Sequence, residues 1–158
     1  MKLSTVNKAY IAGFLDGDGS IYVRLKPNMD YKFCFQISPS VVFYQSNKEK
    51  KHLVELQKLI KKGYLRERKD GIVEYIIGDM DSISELLKNI MPYLRIKNKQ
   101  AKLMMEILVK KKKVKSGRDF LSLAKIIDKF KELNYSKKRI QNSKEVEKVL
   151  KKEGLLTP

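Results

Sequence analysis

The chain has 158 residues, 42% of them hydrophobic, with one cysteine and 35 Lys and Arg residues against 18 Asp and Glu, a net charge of +17. This length fits one domain, the single cysteine excludes a disulfide framework and a cysteine metal cluster, and no apolar run reaches the ~18 residues of a membrane span. We therefore expect a protein of a reducing compartment, either cytoplasmic or in the genome-bearing compartment of an organelle.

The excess of positive charge predicts a polyanionic partner, because each neutralised phosphate releases condensed counterions and so favours binding. Nucleic acid is the leading candidate. An anionic membrane surface is the rival, but the sequence has no basic amphipathic helix rich in Trp or Phe. A charged, solvated surface without such a partner is the remaining alternative.

The first predicted element is a short helix from Asn7 to Asp16, whose apolar residues lie near one stripe. A predicted hairpin follows, because apolar and polar residues alternate over 21–28 and again over 32–38, where Cys34 falls on the polar face. Pro39 is expected to bend the second strand or to mark a bulge. One face of this hairpin is expected to be buried, and the other to be polar and basic.

A second helix and a second hairpin come next along the chain. The helix is predicted from Lys48 to Ile60, with Gly63 as its C-terminal glycine. The hairpin is predicted to join strands over 64–68 and 72–77 through a turn that contains Gly71.

The third helix is predicted from Asp79 to Met91, with a capping box of Ser82 and Glu85 at its start and Pro92 after its end. Residues 1–96 therefore follow the order αββαββα. This order predicts an α+β fold with an antiparallel sheet.

The remaining residues, 97–158, carry helical patterns. A capping residue, Asn142, with Glu145 three positions on, predicts a last helix that ends at Gly154. Two apolar stripes predict earlier helices: Ala101, Met104, Met105 and Leu108, then Phe120, Leu123, Ile127 and Phe130. We expect these helices to complete the core of one domain that spans 1–158, since no linker separates them.

The segment YIAGFLDGDGS, residues 10–20, holds three glycines and two aspartates in a strongly basic chain. Gly13 and Gly17 are four residues apart and share one helix face, where small residues permit close approach of another helix. Asp18 follows at the helix end and offers a carboxylate, the hard oxygen ligand that Mg²⁺ prefers. The alternative is that Asp16 and Asp18 are turn and cap residues.

Residues 11–19, IAGFLDGDG, resemble the motif that names the LAGLIDADG homing endonucleases. The segments YKFCFQIS, GYLRER and LRIKNKQA are also similar to single-motif members of that family, so the resemblance covers most of residues 8–110. It implies a saddle-shaped antiparallel sheet and a metal-dependent, intron-encoded enzyme that cuts DNA at a specific site. The implied metal is Mg²⁺, with other divalent ions such as Mn²⁺ as alternatives.

The resemblance also implies which residues act in the site. Asp18 and the Gly17 carbonyl would bind the metal, and Gln45 and Lys97 stand where the family has residues that organise the water network. Glu49 occupies the position of an arginine in similar single-motif relatives. Lysines on either side of Glu49, Lys48 and Lys50, are candidates to replace that arginine.

One motif per chain predicts a dimer. Cutting both strands needs two active centres at phosphates that face each other across a minor groove only ~6 Å wide. Two chains that pack through the faces of Gly13 and Gly17 on a twofold axis would bring two Asp18 carboxylates together.

The polar faces of the two hairpins are predicted to read base edges, since a two-stranded ribbon fits the major groove. The residues expected to be displayed there are Tyr22, Arg24, Lys26, Asn28, Gln36, Ser38, Ser40, Arg66, Arg68 and, opposite the two arginines, Glu74. The basic run 110–115, with Lys112, and Arg139 are expected to contact phosphates. The alternative for each of these residues is an ordinary solvated side chain.

The predicted function is therefore a homodimeric DNA endonuclease that acts on a long pseudo-palindromic site. The alternative is an RNA maturase that binds intron RNA, or another nucleic-acid-binding protein on the same scaffold that does not cleave. His52 is expected to have no part in either, because we see no acid or cysteine partner for it at ligand spacing.

Overall fold

The computed structural model describes residues 2–134 and 141–156 of the chain. The elements, in chain order, are α1 (Thr5–Asp18), β1 (Gly19–Pro27), β2 (Phe35–Ser46), a 3₁₀ turn (Asn47–Glu49), α2 (Lys50–Ile60), β3 (Tyr64–Glu67), β4 (Ile72–Ile77), α3 (Met80–Ile90), a second 3₁₀ turn (Met91–Tyr93), α4 (Asn98–Lys111), α5 (Gly117–Asp128), α6 (Phe130–Leu133) and α7 (Ser143–Lys152). The predicted α+β class and the predicted αββαββα order are confirmed. None of the described helices is long and apolar enough to span a membrane.

The strands form one sheet in the order β1-β2-β4-β3. β4 pairs antiparallel with β2, from Val41 opposite Ile77 to Ser46 opposite Ile72, and antiparallel with β3 on its other side. β2 is longer than predicted, because it continues through Pro39 and only its later residues pair with β4. Pro39 has no amide hydrogen to donate, which fits its place before this ladder begins.

The described chain divides into two compact units. The first contains the residues up to Tyr22 together with Pro39–Lys102, and the second contains Val23–Ser38 together with the residues from Leu103 onward. The placement of 1–158 in a single domain stays a prediction.

The core of the first unit lies where α1, α2 and α3 bury their apolar stripes. The fully buried side chains include Ile11, Leu15, Leu53, Leu56, Ile83, Leu86 and Leu87. In the second unit, Phe33 and Phe35 pack against Phe120 of α5, with ring centroids 5.2 and 6.4 Å away. The predicted stripe of α5 is confirmed, since Phe120, Leu123 and Ile127 are all buried.

Two predicted helix caps are wrong, and each has a local cause. α3 begins after Asp79, whose carboxylate accepts the Ser82 amide at 2.8 Å, so Asp79 is the cap in place of the expected box of Ser82 and Glu85. α2 ends at Ile60 as predicted, and its C-terminal cap is Lys61, which has the left-handed φ of 61°. Gly63 belongs to the following turn, where a Cβ would lie 2.3 Å from the Ile76 carbonyl oxygen.

The prediction that Cys34 lies on a polar strand face is also wrong. Cys34 is buried, has φ of 59° and precedes β2, which begins at Phe35. Its amide donates to the Tyr31 carbonyl at 2.7 Å and its carbonyl accepts from Asn28 at 2.9 Å. These hydrogen bonds close a compact loop between β1 and β2 and turn the thiol away from solvent.

Candidate active site and nucleic-acid interface

α1 buries one side and exposes apolar residues on the other. Ile11, Ala12 and Leu15 are fully buried. The opposite side carries an exposed stripe with helical spacing, which we call the α1 outer face: Val6, Tyr10, Gly13 and Gly17. Val6 and Tyr10 are 76% and 52% exposed, and a Cβ added at either glycine would meet nothing within 4 Å.

The α1 outer face leads to an open hollow of about 490 Å³. Asp18, the exposed last residue of α1, and Gln45 of β2 both line this hollow. The remaining lining residues are Ala9, Tyr10, Gly13, Phe14 and His52. Two of the three predicted catalytic residues therefore converge, although they are far apart in the sequence. No group of three or more His, Cys, Asp or Glu in residues 2–134 and 141–156 is arranged to hold a metal ion.

Asp16 lies two residues before Asp18 but faces the interior. It is 8% exposed, and its carboxylate accepts three consecutive backbone amides, from Arg95 at 2.6 Å, Ile96 at 3.2 Å and Lys97 at 2.9 Å. The alternative left open by the sequence is thus resolved for Asp16. It is a structural acceptor, whereas Asp18 points to solvent.

Lys97, the third predicted catalytic residue, is bound to the end of α1. It is 9% exposed, and its Nζ donates to the Asp16 carbonyl oxygen at 2.5 Å. Burial lowers the pKa of Lys97, while the charges of Asp16 and Asp18 oppose that shift. The ammonium therefore lies close enough to both carboxylates to interact with them electrostatically.

Glu49 and His52 form a pair at the start of α2, with 3.0 Å between His52 Nε2 and a Glu49 carboxylate oxygen. The expectation that His52 has no acid partner is wrong, since the i, i+3 spacing on one helix brings the two together. Of the two lysines that flank Glu49, Lys50 is paired with Glu67. Lys48 is exposed and makes no ion pair with a described residue.

The polar face of the first hairpin is displayed along β1. Ile21, Val23 and Leu25 are buried and confirm the predicted apolar face, while Arg24 and Lys26 are exposed. Other predicted base readers are half-buried: Tyr22, Asn28, Gln36 and Ser38. Ser40 is only 9% exposed, so its predicted place on the displayed face is wrong. It lies in the stretch of β2 from Pro39 to Phe43, where both strand faces are buried.

In the second hairpin, Glu74 lies on the same face as Arg66 and Arg68. Arg66 stands directly opposite Glu74 across the ladder, and its Nε donates to Glu74 Oε2 at 2.7 Å. Arg68 Nη1 lies 3.5 Å from Glu74 Oε1. Glu74 is 5% exposed, so its prediction as a base reader on the opposite face is wrong. The hydrogen bond and charge of Glu74 raise the pKa of Arg66, which is itself exposed.

The basic run after α4 is less uniform than predicted. Lys112 is exposed, but the Lys111 ammonium donates to the Ile37 carbonyl at 3.1 Å, and burial lowers the pKa of Lys111. Lys110 pairs with Glu106 at 3.5 Å. Arg139 lies outside the described residues.

The family model of the LAGLIDADG endonucleases matches residues 11–105 of the chain. The chain belongs to the LAGLIDADG endonuclease family. Two LAGLIDADG relatives align with most of its length. DNA endonuclease I-CreI of Chlamydomonas reinhardtii is 36% identical, over 89% of this chain and 86% of the relative. DNA endonuclease I-CvuI of Chlorella vulgaris is 33% identical, over 92% and 91%.

Solved structures of this LAGLIDADG relative share the fold. I-CvuI in complex with its target, in the presence of Ca, matches with a TM-score of 0.91 and 32% identity, over 96% of this chain and 97% of that one. I-CvuI in complex with the I-CreI target, in the presence of Mg and with the DNA not cleaved, matches equally well. The four-stranded antiparallel sheet with its helices is therefore the LAGLIDADG endonuclease fold.

Proposed function

We propose that the protein is a site-specific homing endonuclease, encoded by a mobile intron, that cuts both strands of a long pseudo-palindromic DNA site as a homodimer. The observation that carries this proposal is the arrangement at the end of α1. Asp18 is exposed there and shares a hollow with Gln45. The Lys97 ammonium is bound to the carbonyl oxygen of Asp16, two residues before Asp18. These are the three residues that the family resemblance assigns to the reaction.

A divalent ion fits the donor set at this helix end. Asp18 is an exposed carboxylate, and the last carbonyls of α1, including that of Gly17, carry the negative end of the helix dipole. Hard oxygen donors of this kind suit Mg²⁺ and also Mn²⁺. When bound, the ion would activate water and stabilise charge on the scissile phosphate and its leaving oxygen. We propose Asp18 and the Gly17 carbonyl as its ligands. The structures of the relative I-CvuI in the presence of Mg and of Ca support a divalent ion.

The chain's own side chains supply orientation and charge. Gln45 Oε1 accepts the Ser46 amide at 3.1 Å, which directs the amide group so that its NH₂ can donate to water or to a phosphate oxygen. The Lys97 ammonium places a positive charge near the developing phosphate charge, where preorganised charge is most effective. In the proposed reaction the water oxygen would form a bond to phosphorus as the bond from phosphorus to the 3′ oxygen breaks. The water would give its proton to solvent, and the 3′ oxygen would take one from solvent and leave as a hydroxyl.

The α1 outer face supports a homodimer. Its glycines leave room for close approach of a second helix, and its exposed apolar side chains would be buried by a second copy of the same surface. A twofold axis here would pair the two Asp18 carboxylates.

A leucine at Gly13 tests the dimer. A Cβ at Gly13 would meet nothing within 4 Å outside the neighbouring helix backbone, and Gly13 is exposed, so we expect Gly13→Leu to fold normally but to sediment as a monomer and to lose double-strand cleavage. Lys88→Leu adds the same side chain at an exposed position of α3 and should leave the dimer intact. A dimeric Gly13→Leu protein with normal cleavage would remove α1 from the interface.

Substitution of the proposed metal ligand tests the function itself. We expect the protein to linearise a plasmid that carries its intron-free insertion site when Mg²⁺ is present. Asp18→Asn should bind that DNA with similar affinity but cleave it at least about 10³-fold more slowly, because the paired carboxylates are lost. Asp81→Asn, the same change at an exposed aspartate of α3, should cleave normally. Undiminished cutting by Asp18→Asn would contradict the proposed site.

One observation favours an RNA maturase as a second candidate. Glu49, which is paired with His52, stands where the family resemblance expects an arginine. A negative side chain therefore replaces a positive one at the edge of the proposed active site. A maturase would bind its intron RNA and promote splicing, and its DNA cleavage would be absent both in the natural protein and in Asp18→Asn. The plasmid experiment therefore separates the two functions.

A further inference from the structure

Asp16 connects two segments that are about 80 positions apart in the chain. Its carboxylate binds the amides of Arg95, Ile96 and Lys97, the last three residues before α4 begins at Asn98. Three donors on one carboxylate make a strong anchor, because hydrogen bonds to an ionised acceptor are shorter and roughly twice as strong as neutral ones. The start of α4 is thus tied to the end of α1.

The same residue also holds the side chain of Lys97. The Lys97 amide donates to Asp16 Oδ1 at 2.9 Å, while the Lys97 ammonium donates to the Asp16 carbonyl oxygen at 2.5 Å. Lys97 is therefore bound at both ends to one residue, and it is 9% exposed. A lysine side chain in solution samples many rotamers, and ordering it costs conformational entropy. Here that freedom is removed before any ligand binds.

We propose that Asp16 is a positioning residue that sets the Lys97 ammonium at the end of α1, beside Asp18. Asp16 itself touches neither DNA nor metal and acts through Lys97. This inference rests on the proposed nuclease function for its kinetic consequence, because a displacement of about 1 Å in such a group can cost about 10²-fold in rate. Its structural consequence, the immobilisation of Lys97, holds whatever the activity is.

The structural consequence is tested by the chemical reactivity of individual lysines. The natural protein and Asp16→Ala are labelled with a limiting amount of an amine-acylating reagent, and each lysine is quantified by peptide mass spectrometry. We expect Lys97 to be labelled about tenfold faster in Asp16→Ala. Lys99 and Lys102, exposed on the helix α4 that follows Lys97, are internal controls and should not change. Equal labelling of Lys97 in the two proteins would overturn the inference.

The kinetic consequence is tested by a double-mutant cycle under single-turnover conditions. We expect Asp16→Ala to cleave about 10²-fold more slowly at unchanged target affinity, and the double variant of Asp16→Ala with Lys97→Ala to cleave no more slowly than Lys97→Ala alone. Rate losses that multiply in the double variant would show that Asp16 does not act through Lys97. If the natural protein does not cleave, the proposed function fails, and the lysine labelling still decides the inference.

A matched control separates positioning from loss of stability. Asp79→Ala removes another carboxylate that accepts a backbone amide in the same unit, at the start of α3. It should lower the melting temperature without a change in the cleavage rate of the folded protein. Asp16→Asn, which keeps one acceptor oxygen, serves if Asp16→Ala does not fold, and should show intermediate Lys97 labelling and an intermediate rate. A fall in rate for Asp79→Ala as large as that for Asp16→Ala, at equal stability, would also overturn the inference.

Discussion

We call Asp16, Asp18 and residues 95–97 the corner around Lys97. This corner and the hairpin of β3 and β4 both carry basic side chains, but they hold them differently. Lys97 is almost fully buried and its ammonium is bound to a backbone carbonyl. Arg66 and Arg68 have about half of their side-chain area exposed and share one buried carboxylate, that of Glu74. The Lys97 ammonium is thus held by a backbone carbonyl, whereas the two arginines are held by the charged side chain of Glu74.

This difference corresponds to two kinds of task. A group that stabilises a transition state is most effective when it is already in place, because no reorganisation is then needed during the reaction. A group that discriminates between bases must reach out of the protein surface and exchange one hydrogen-bond partner for another. We therefore expect substitutions in the corner to change the cleavage rate, and substitutions in the hairpin to change the affinity for particular sequences.

The largest effect is expected at Lys97. Lys97→Met keeps most of the aliphatic volume but removes the charge, so we expect the single-turnover cleavage rate to fall about 10²- to 10³-fold while the dissociation constant for the target changes little. Lys99→Met, at an exposed position of the helix α4 that follows Lys97, is the control and should cleave at the normal rate. A large loss of affinity in Lys97→Met would place Lys97 with the recognition residues.

A smaller effect is expected at Arg66. Arg66→Ala should weaken the preference for one base in each half-site by about 1–3 kcal/mol, as measured by binding to a set of singly substituted targets. Lys112→Ala is the comparison, because a phosphate contact should lower affinity evenly for all sequences and reduce the salt dependence. An even loss of affinity for Arg66→Ala would contradict the assignment of the hairpin to base recognition.

Residue spacing was sufficient to predict much of this architecture. The period of two in β1 and the glycine spacing in α1 predicted the buried faces and the exposed glycines that the structure has. The pairing of Glu74 with Arg66 was also within reach, since a turn that joins 68 to 72 places 66 opposite 74. The i, i+3 spacing of Glu49 and His52 was an equally visible signal.

Other features depend on contacts that no local pattern encodes. The role of Asp16 follows from amides near position 96, and the motif alone permits either a ligand or a structural residue. Ser40 is buried because both faces of β2 are covered at that point, which periodicity within one strand does not show. The left-handed conformation of Cys34 arises from the loop that it closes.

The smallest effect is expected at Glu74. Glu74→Gln keeps an acceptor oxygen and the volume of the side chain but removes the charge that both arginines share, so we expect a loss of about 1 kcal/mol in the free energy of unfolding by denaturant. Because Arg66 is then less firmly oriented, base discrimination at its position should weaken, but by less than in Arg66→Ala. Glu67→Gln removes an exposed carboxylate of β3 that pairs with Lys50 and should leave discrimination unchanged. If Glu74→Gln discriminates as well as the natural protein, Arg66 is oriented by its own strand, and the hairpin is as rigid as the corner around Lys97.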